Sequence, residues 1–241
     1  MPYVDITYHK TVTHIGFLSG SEDRKPSLDG PGISVTTSPG SWRALSGLNG
    51  PEITLIFPAA QWVDGMSFGE TDMLEMSEWA ISRRYLKPIS AWFTLIPTSS
   101  GDLLPTAFET REDACATVGR GLADELAAEA RGEGATWQED SYKLTPVALK
   151  KLDRWPGALV QWEQAVVILY VREVVVPKRP WVTGVWWSEP DRPDAGCAPS
   201  GVLFPERMHL FEVETEDGDV GNFCDIFPDF DAPADPLTRY D

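Results

Sequence analysis

The sequence predicts an α+β fold: mixed, mostly antiparallel sheets, three or four helices and an acidic C-terminal tail. Three observations lead there. Roughly seven runs rich in β-branched and aromatic residues lie among segments of helical periodicity, without the strict β–α alternation of a doubly wound parallel sheet. Apolar residues make up 42% of 241 positions and include 10 Trp, enough to build a sizeable core. No repeat of fixed period interrupts this pattern. Residues 1–211 read as a single domain. Residues 212–241 read as a proline-containing acidic tail, packed on the body through Phe223, Ile226, Phe227 and Phe230.

Taken in order, residues 3–9 (YVDITYH) alternate as a strand does, 11–20 form a mixed connection, and 19–32 a polar loop. Residues 30–50 (GPGISVTTSPGSWRALSGLNG) hold the densest structural punctuation. They predict a strand over 33–37, a corner at Ser38-Pro39 and a short helix closed by Gly47 and Gly50. Ser38 suits an N-cap, and Pro39 the first helical position, where its missing N–H costs nothing. Residues 52–57 (EITLIF) form the next strand. Residues 67–85 read as a helix with Ser67 and Glu70 at capping-box spacing, its apolar side drawn from Met73, Leu74, Met76, Trp79 and Ile81. A strand follows over 89–96, between Pro88 and Pro97. The clearest helix runs over 111–131, with Val118, Leu122 and Leu126 in one stripe, Thr110 as cap and Gly132 and Gly134 as stop. Thr145-Pro146 opens another short helix. Residues 159–176 read as one long strand or two, 181–187 as a strand, 191–201 as a Pro/Gly loop and 208–214 as the last strand. From 212 to 241 ten acidic residues face one Arg.

Charge narrows the function classes. With 37 acidic against 20 basic residues the net charge is −17. Such a surface repels phosphate backbones and anionic lipid, so no nucleic-acid or membrane partner is expected; a basic protein partner is allowed but not demanded, since acidity also serves solubility alone. Cys115, Cys197 and Cys224 form no CxxC pair and no disulfide framework, which points to a reducing, cytoplasmic setting. Cys115 falls on the apolar helix face and reads as a small buried thiol. The first ten residues have no apolar run after a basic region, so no secretory signal is expected. The longest apolar stretch, 165–176, is broken by Arg172 and Glu173 and is too short to span a bilayer. His9 and His14 form a His-x4-His pair of a kind that can hold zinc on a turn, but His209 is distant and no Cys or carboxylate cluster lies at the usual spacing, so no metal is expected. There is no phosphate loop, GxGxxG or GxSxG.

Three short pieces carry a resemblance. Tyr8-His9-Lys10-Thr11 ends the first expected strand, Ser34-Val35-Thr36 lies in the second, and Gln161-Trp162-Glu163 precedes an apolar run. Their order resembles that of ADP-ribosyltransferase folds, which bind NAD in a cleft between two sheets. The resemblance implies transfer of ADP-ribose from NAD, as substrate, to an unknown acceptor. Glu163 would be the catalytic carboxylate. It would stabilise the positive charge that grows on the ribose as nicotinamide leaves. His9 and Thr11 would contact the dinucleotide, and Ser34 and Thr36 would support the nicotinamide pocket. Trp42, or else Trp62 or Tyr85, would stack on the ring.

Each of these residues also has a structural reading: a hydrogen-bonded histidine, strand-forming hydroxyl residues, an exposed carboxylate. A second function class stands beside the first. Trp181, Trp186 and Trp187 are followed by Glu189, Asp191 and a Pro/Gly loop. Neighbouring strand residues point to opposite faces, so one of Trp186 and Trp187 is expected in the core, and the other is either covered by the tail or exposed as an anchor for a protein partner. The chain would then be a non-enzymatic acidic binding protein of immunity or inhibitor type.

Overall fold

The computed structural model describes residues 2–16, 32–47, 50–97, 103–118, 136–152, 162–214, 218 and 220–228. The expected helix beyond Val118, most of the 19–32 loop, and the tail from 229 onward, with Phe230, lie outside them. In chain order the elements are β1 (Ile6–Thr7), β2 (Thr11–Ile15), β3 (Ile33–Thr36), α1 (Pro39–Ser46), β4 (Glu52–Ile56), β5 (Gln61–Asp64) and α2 (Glu70–Ser82). Then follow β6 (Leu86–Pro97), β7 (Leu103–Phe108), α3 (Arg111–Val118), β8 (Thr136–Leu144), α4 (Pro146–Lys151) and α5 (Trp162–Tyr170). The last are β9 (Val182–Trp187), β10 (Ser200–Leu203), β11 (Glu212–Glu214), β12 (Val220–Asn222) and α6 (Phe223–Ile226). The fold is α+β with mostly antiparallel strands, as the sequence predicts. Contacts group the chain into two compact units, one from 1–76, 163–193 and 197–241, the other from 77–162 and 194–196.

The first unit holds a nine-stranded sheet in the order β1-β5-β9-β10-β3-β2-β4-β11-β12. Its parallel pair is β5 with β9. Every residue of β9 is buried, so the strand shows the continuous apolar run of a strand covered on both faces rather than an alternation. Gly184 and Gly201 make room for the large rings beside them. A Cβ at Gly184 would collide with the Val202 carbonyl and lie 2.9 Å from the Trp62 ring; one at Gly201 would lie 2.5 Å from the Trp186 ring. Trp62, Trp186, Leu55 and Leu203 form the centre of the core, with Phe211 and Phe223. Phe223 of α6 is 1% exposed, and Ile226 and Phe227 pack against the same core.

Several elements differ from expectation. β2 occupies part of the expected connection, and His9 falls between β1 and β2 rather than in a strand. Polar Thr11, Thr13 and His14 hide β2 in the sequence; the ladder with β4 makes it a strand. Residues 162–170 are helical, running on through a π turn (Val171–Val175) and a 3-10 turn (Val176–Lys178). Residues 165–171 are all buried, and a helix that is apolar all round carries no period by which to tell it from a buried strand. β10 begins within the end of the expected 191–201 loop, at Ser200. In the stretch expected to form the last strand, Pro205–Leu210 is a 3-10 helix, and the strand is confined to β11. Arg172 donates from Nε to Glu206 Oε1 at 2.8 Å and from a terminal nitrogen to Oε2 at 3.0 Å, in a pair largely withdrawn from water.

The second unit centres on a three-stranded antiparallel sheet in the order β7-β6-β8. Thr145 caps α4 by accepting from the Ala148 N–H at 3.3 Å, and Thr110 caps α3 through the Asp113 N–H at 3.1 Å. In α3 it is Ala114 that is buried, while Cys115 is exposed, the reverse of the expected buried thiol. The start of α2 also differs: the Ser67 hydroxyl donates to the Asp64 carbonyl at 2.7 Å, and Asp72 accepts from the Gly69 N–H at 3.2 Å. α2 buries Met76 and Ala80, and leaves Leu74 and Ile81 at 59% and 37% exposure.

Candidate functional site

The corner after β3 forms as its residues dictate. Pro39 opens α1, and Gly47 ends it in the left-handed region at φ 63°. Ser38 stands at the cap position without capping; its hydroxyl instead donates to Asp191 Oδ2 at 2.9 Å. Thr36 is fully buried. Its hydroxyl donates to the Pro199 carbonyl at 2.6 Å and accepts from the Ser38 N–H at 3.0 Å. Trp42 is buried against Ile15 and Ala198, so its ring has no open face for a nicotinamide. The carbonyl of Ser34 accepts from His14 Nδ1 at 2.8 Å, which fixes the tautomer of that ring. Burial holds the His14 pKa below its ordinary value, against the opposing pull of this bond. Glu189, two residues before Asp191, has its carboxyl pushed up by burial despite a hydrogen bond with the Ala198 backbone.

His9 sits elsewhere on the same sheet. Its imidazole stacks on Trp186, and its carbonyl accepts from Trp62 Nε1 at 3.1 Å. Thr7 Oγ1 lies 3.3 Å from His9 Nε2. Burial lowers the His9 pKa, and the charge of Asp64 partly opposes that shift. Thr11 is exposed at the start of β2, opposite Ile56. Glu163 is at the surface in the first turn of α5, not ahead of a strand; loss of water around its carboxyl raises its pKa. Glu163 opens α5, whereas His9, Thr11, Ser34, Thr36 and Trp42 belong to the stretch from β1 to α1.

Of the two arrangements open to the tryptophan pair, the covered one holds. Trp186 and Trp187 are 1% and 8% exposed, so neither offers a surface to a partner. β5 and β10 flank β9, and both faces of the strand are covered. The exposed member of the cluster is Trp181, at 49%.

A cavity of about 430 Å³ opens on the paired strands β6 and β8, lined by Pro88, Ile89, Ser90, Asp140, Ser141 and Tyr142. The register sets Pro88 opposite Tyr142 and Ser90 opposite Asp140. Strand alternation puts those four on one face. On that face Gln138 Nε2 donates to Ser90 Oγ at 2.8 Å, and Trp162 meets the Tyr142 ring edge-on at 4.9 Å. Sequence reasoning misses this site because TWQEDSYKL carries its polar residues in mid-strand; only pairing with β6 reveals the register. Among the described residues no group of three or more His, Cys, Asp or Glu is placed to hold a metal. Nor is any helix among them long and apolar enough to cross a membrane. No family model, curated protein or solved structure matches this chain at a significant level.

Proposed function

We propose that this chain is a non-enzymatic acidic binding protein that associates with a basic protein partner, in the manner of an immunity or inhibitor protein, through its charge and not through Trp186 and Trp187, which are buried. The observation that carries this reading is the charge: 37 acidic against 20 basic residues, net −17. A field of that sign speeds the encounter with a cationic partner and repels acidic competitors. Acidic side chains stand exposed on regular elements, among them Glu75 and Glu78 on α2 and Glu139 and Asp140 on β8. The free thiols of Cys115, Cys197 and Cys224 support a reducing, cytoplasmic setting.

ADP-ribosyl transfer to an acceptor is the alternative proposal, with NAD as its substrate and Glu163 as its carboxylate. The engaged hydroxyl of Thr36 and the buried ring of Trp42 favour structural roles for two of its residues. The test of the binding reading is selection from a random displayed-peptide library. Enrichment of Lys- and Arg-bearing sequences, with affinity falling as salt rises, is the expected result. Enrichment of neutral or acidic sequences, or none at all, overturns it.

A further inference from the structure

Resting on the acidic-binding reading, we propose that the cavity over β6 and β8 receives an arginine side chain from an extended basic segment of the partner. The cavity, about 430 Å³, lies within the roughly 300–1,000 Å³ typical of built ligand sites. It exceeds one side chain and so leaves room for the residues flanking the arginine.

The groups around it match a guanidinium. Asp140 brings a carboxylate, exposed and without a cationic partner among the described residues. A carboxylate takes two parallel N–H donors from arginine, and lysine has no such fork. Tyr142 supplies an aromatic wall, its ring steadied edge-on by Trp162 at 4.9 Å. A planar cation stacks on such a wall better than a strongly hydrated ammonium does. Ser90 Oγ, already accepting from Gln138 at 2.8 Å, keeps a second lone pair for another donor. Pro88, opposite Tyr142, gives the aliphatic stem of the arginine an apolar contact.

Access is open. Gln138, Glu139 and Asp140 are exposed in succession, so both faces of β8 meet solvent at that point. β8 is also the edge of its sheet among the described residues, so no further strand closes the approach from that side. Charge complementarity selects the occupant: a second copy of this chain would bring a further −17, whereas a basic segment brings the charge the cavity lacks.

The test uses the full chain with two probes, acetyl-arginine amide and nona-arginine. Acetyl-arginine amide should shift the backbone NMR signals of Ser90, Asp140 and Tyr142. Asp140→Asn should weaken nona-arginine about tenfold, the scale of one charge-assisted hydrogen bond. Glu139→Gln makes the same charge change at the neighbouring residue, on the opposite face, and should weaken it less than about twofold, as a surface charge does. Tyr142→Leu should abolish the preference for nona-arginine over nona-lysine, and a wild-type circular-dichroism melt for Asp140→Asn confirms an intact fold. Equal loss in Asp140→Asn and Glu139→Gln, or signal shifts confined to other residues, would overturn the pocket while leaving the acidic-binding reading standing. No binding of nona-arginine to the wild-type chain would overturn both.

Discussion

The imidazole of His9 lies on the indole of Trp186, with ring centroids 3.9 Å apart and planes 27° apart. Trp62 meets the same indole edge-on at 5.5 Å and donates its Nε1–H to the His9 carbonyl. The connection between β1 and β2 is thereby tied to β5 and β9, and the histidine is half-buried. Burial disfavours the imidazolium, and Asp64 offsets only part of that. In an NMR titration of imidazole C–H signals, His9 should therefore show a midpoint below its ordinary 6.5. A midpoint at or above that value would contradict the packed stack.

His14 turns the same physics into a stability effect. Its folded-state pKa lies below 6.5, whereas the unfolded chain titrates near the ordinary value. The unfolded state thus binds more protons in this window. The stability it contributes is complete above 6.5 and is lost as pH falls below that toward the lowered pKa. The raised carboxyls of Glu163 and Glu189 have the opposite sign: their contribution declines as pH rises above 4.5. His14→Asn keeps an N–H donor for the Ser34 carbonyl and removes the titration. Urea denaturation at pH 7 and pH 5.5 should show a smaller acid loss in this variant than in wild type; equal losses would acquit His14.

Two glycine-to-alanine changes should move stability in opposite directions. At Gly184 the new methyl meets the Val202 carbonyl and the Trp62 ring inside a fully buried strand. The cost should be about 3 kcal/mol, the upper end for overpacking, since backbone on one side cannot yield. At Gly40, within α1, a Cβ meets nothing within 4 Å. Alanine there should be neutral or stabilise by up to ~1 kcal/mol by reducing backbone freedom in the unfolded chain. Denaturant midpoints of the two variants decide it; a Gly184→Ala protein as stable as wild type would mean that β9 and β10 are not packed as described.

The transferase alternative faces one titration. Calorimetry with NAD at millimolar concentration should give no heat if the chain is a binding protein alone. Heat that disappears in Glu163→Gln would establish the NAD reading in its place.

The sequence displays those elements whose local chemistry decides their structure. Ile33–Thr36, the Pro39 entry to α1, the Thr145 cap and Val182–Trp187 all follow from turn residues, caps and β-branched runs near in sequence. Elsewhere distant parts of the chain decide. Residues 165–171 are enclosed on every side and lose the period that would mark a helix. Ser200-Gly201 looks like a turn, yet it is a strand because Trp186 needs the space above a glycine. The site divides in the same way. His9, Ser34 and Thr36 stand out as residue types, but one sequence does not reveal that the Thr36 hydroxyl is already occupied by Pro199 and Ser38. Asp140 and Tyr142 attract no notice until the β6–β8 register sets them across from Ser90 and Pro88.

The strand order also fixes a sequence of events during synthesis. In the nine-stranded sheet, β1-β5 forms one ribbon and β3-β2-β4 another, both complete by residue 56 or 64, and β9-β10 alone joins them. A growing chain therefore carries two separate ribbons, with β5 and β3 each presenting an open edge, until residues 182–203 emerge. Throughout that interval the nascent protein offers templates for unwanted strand pairing.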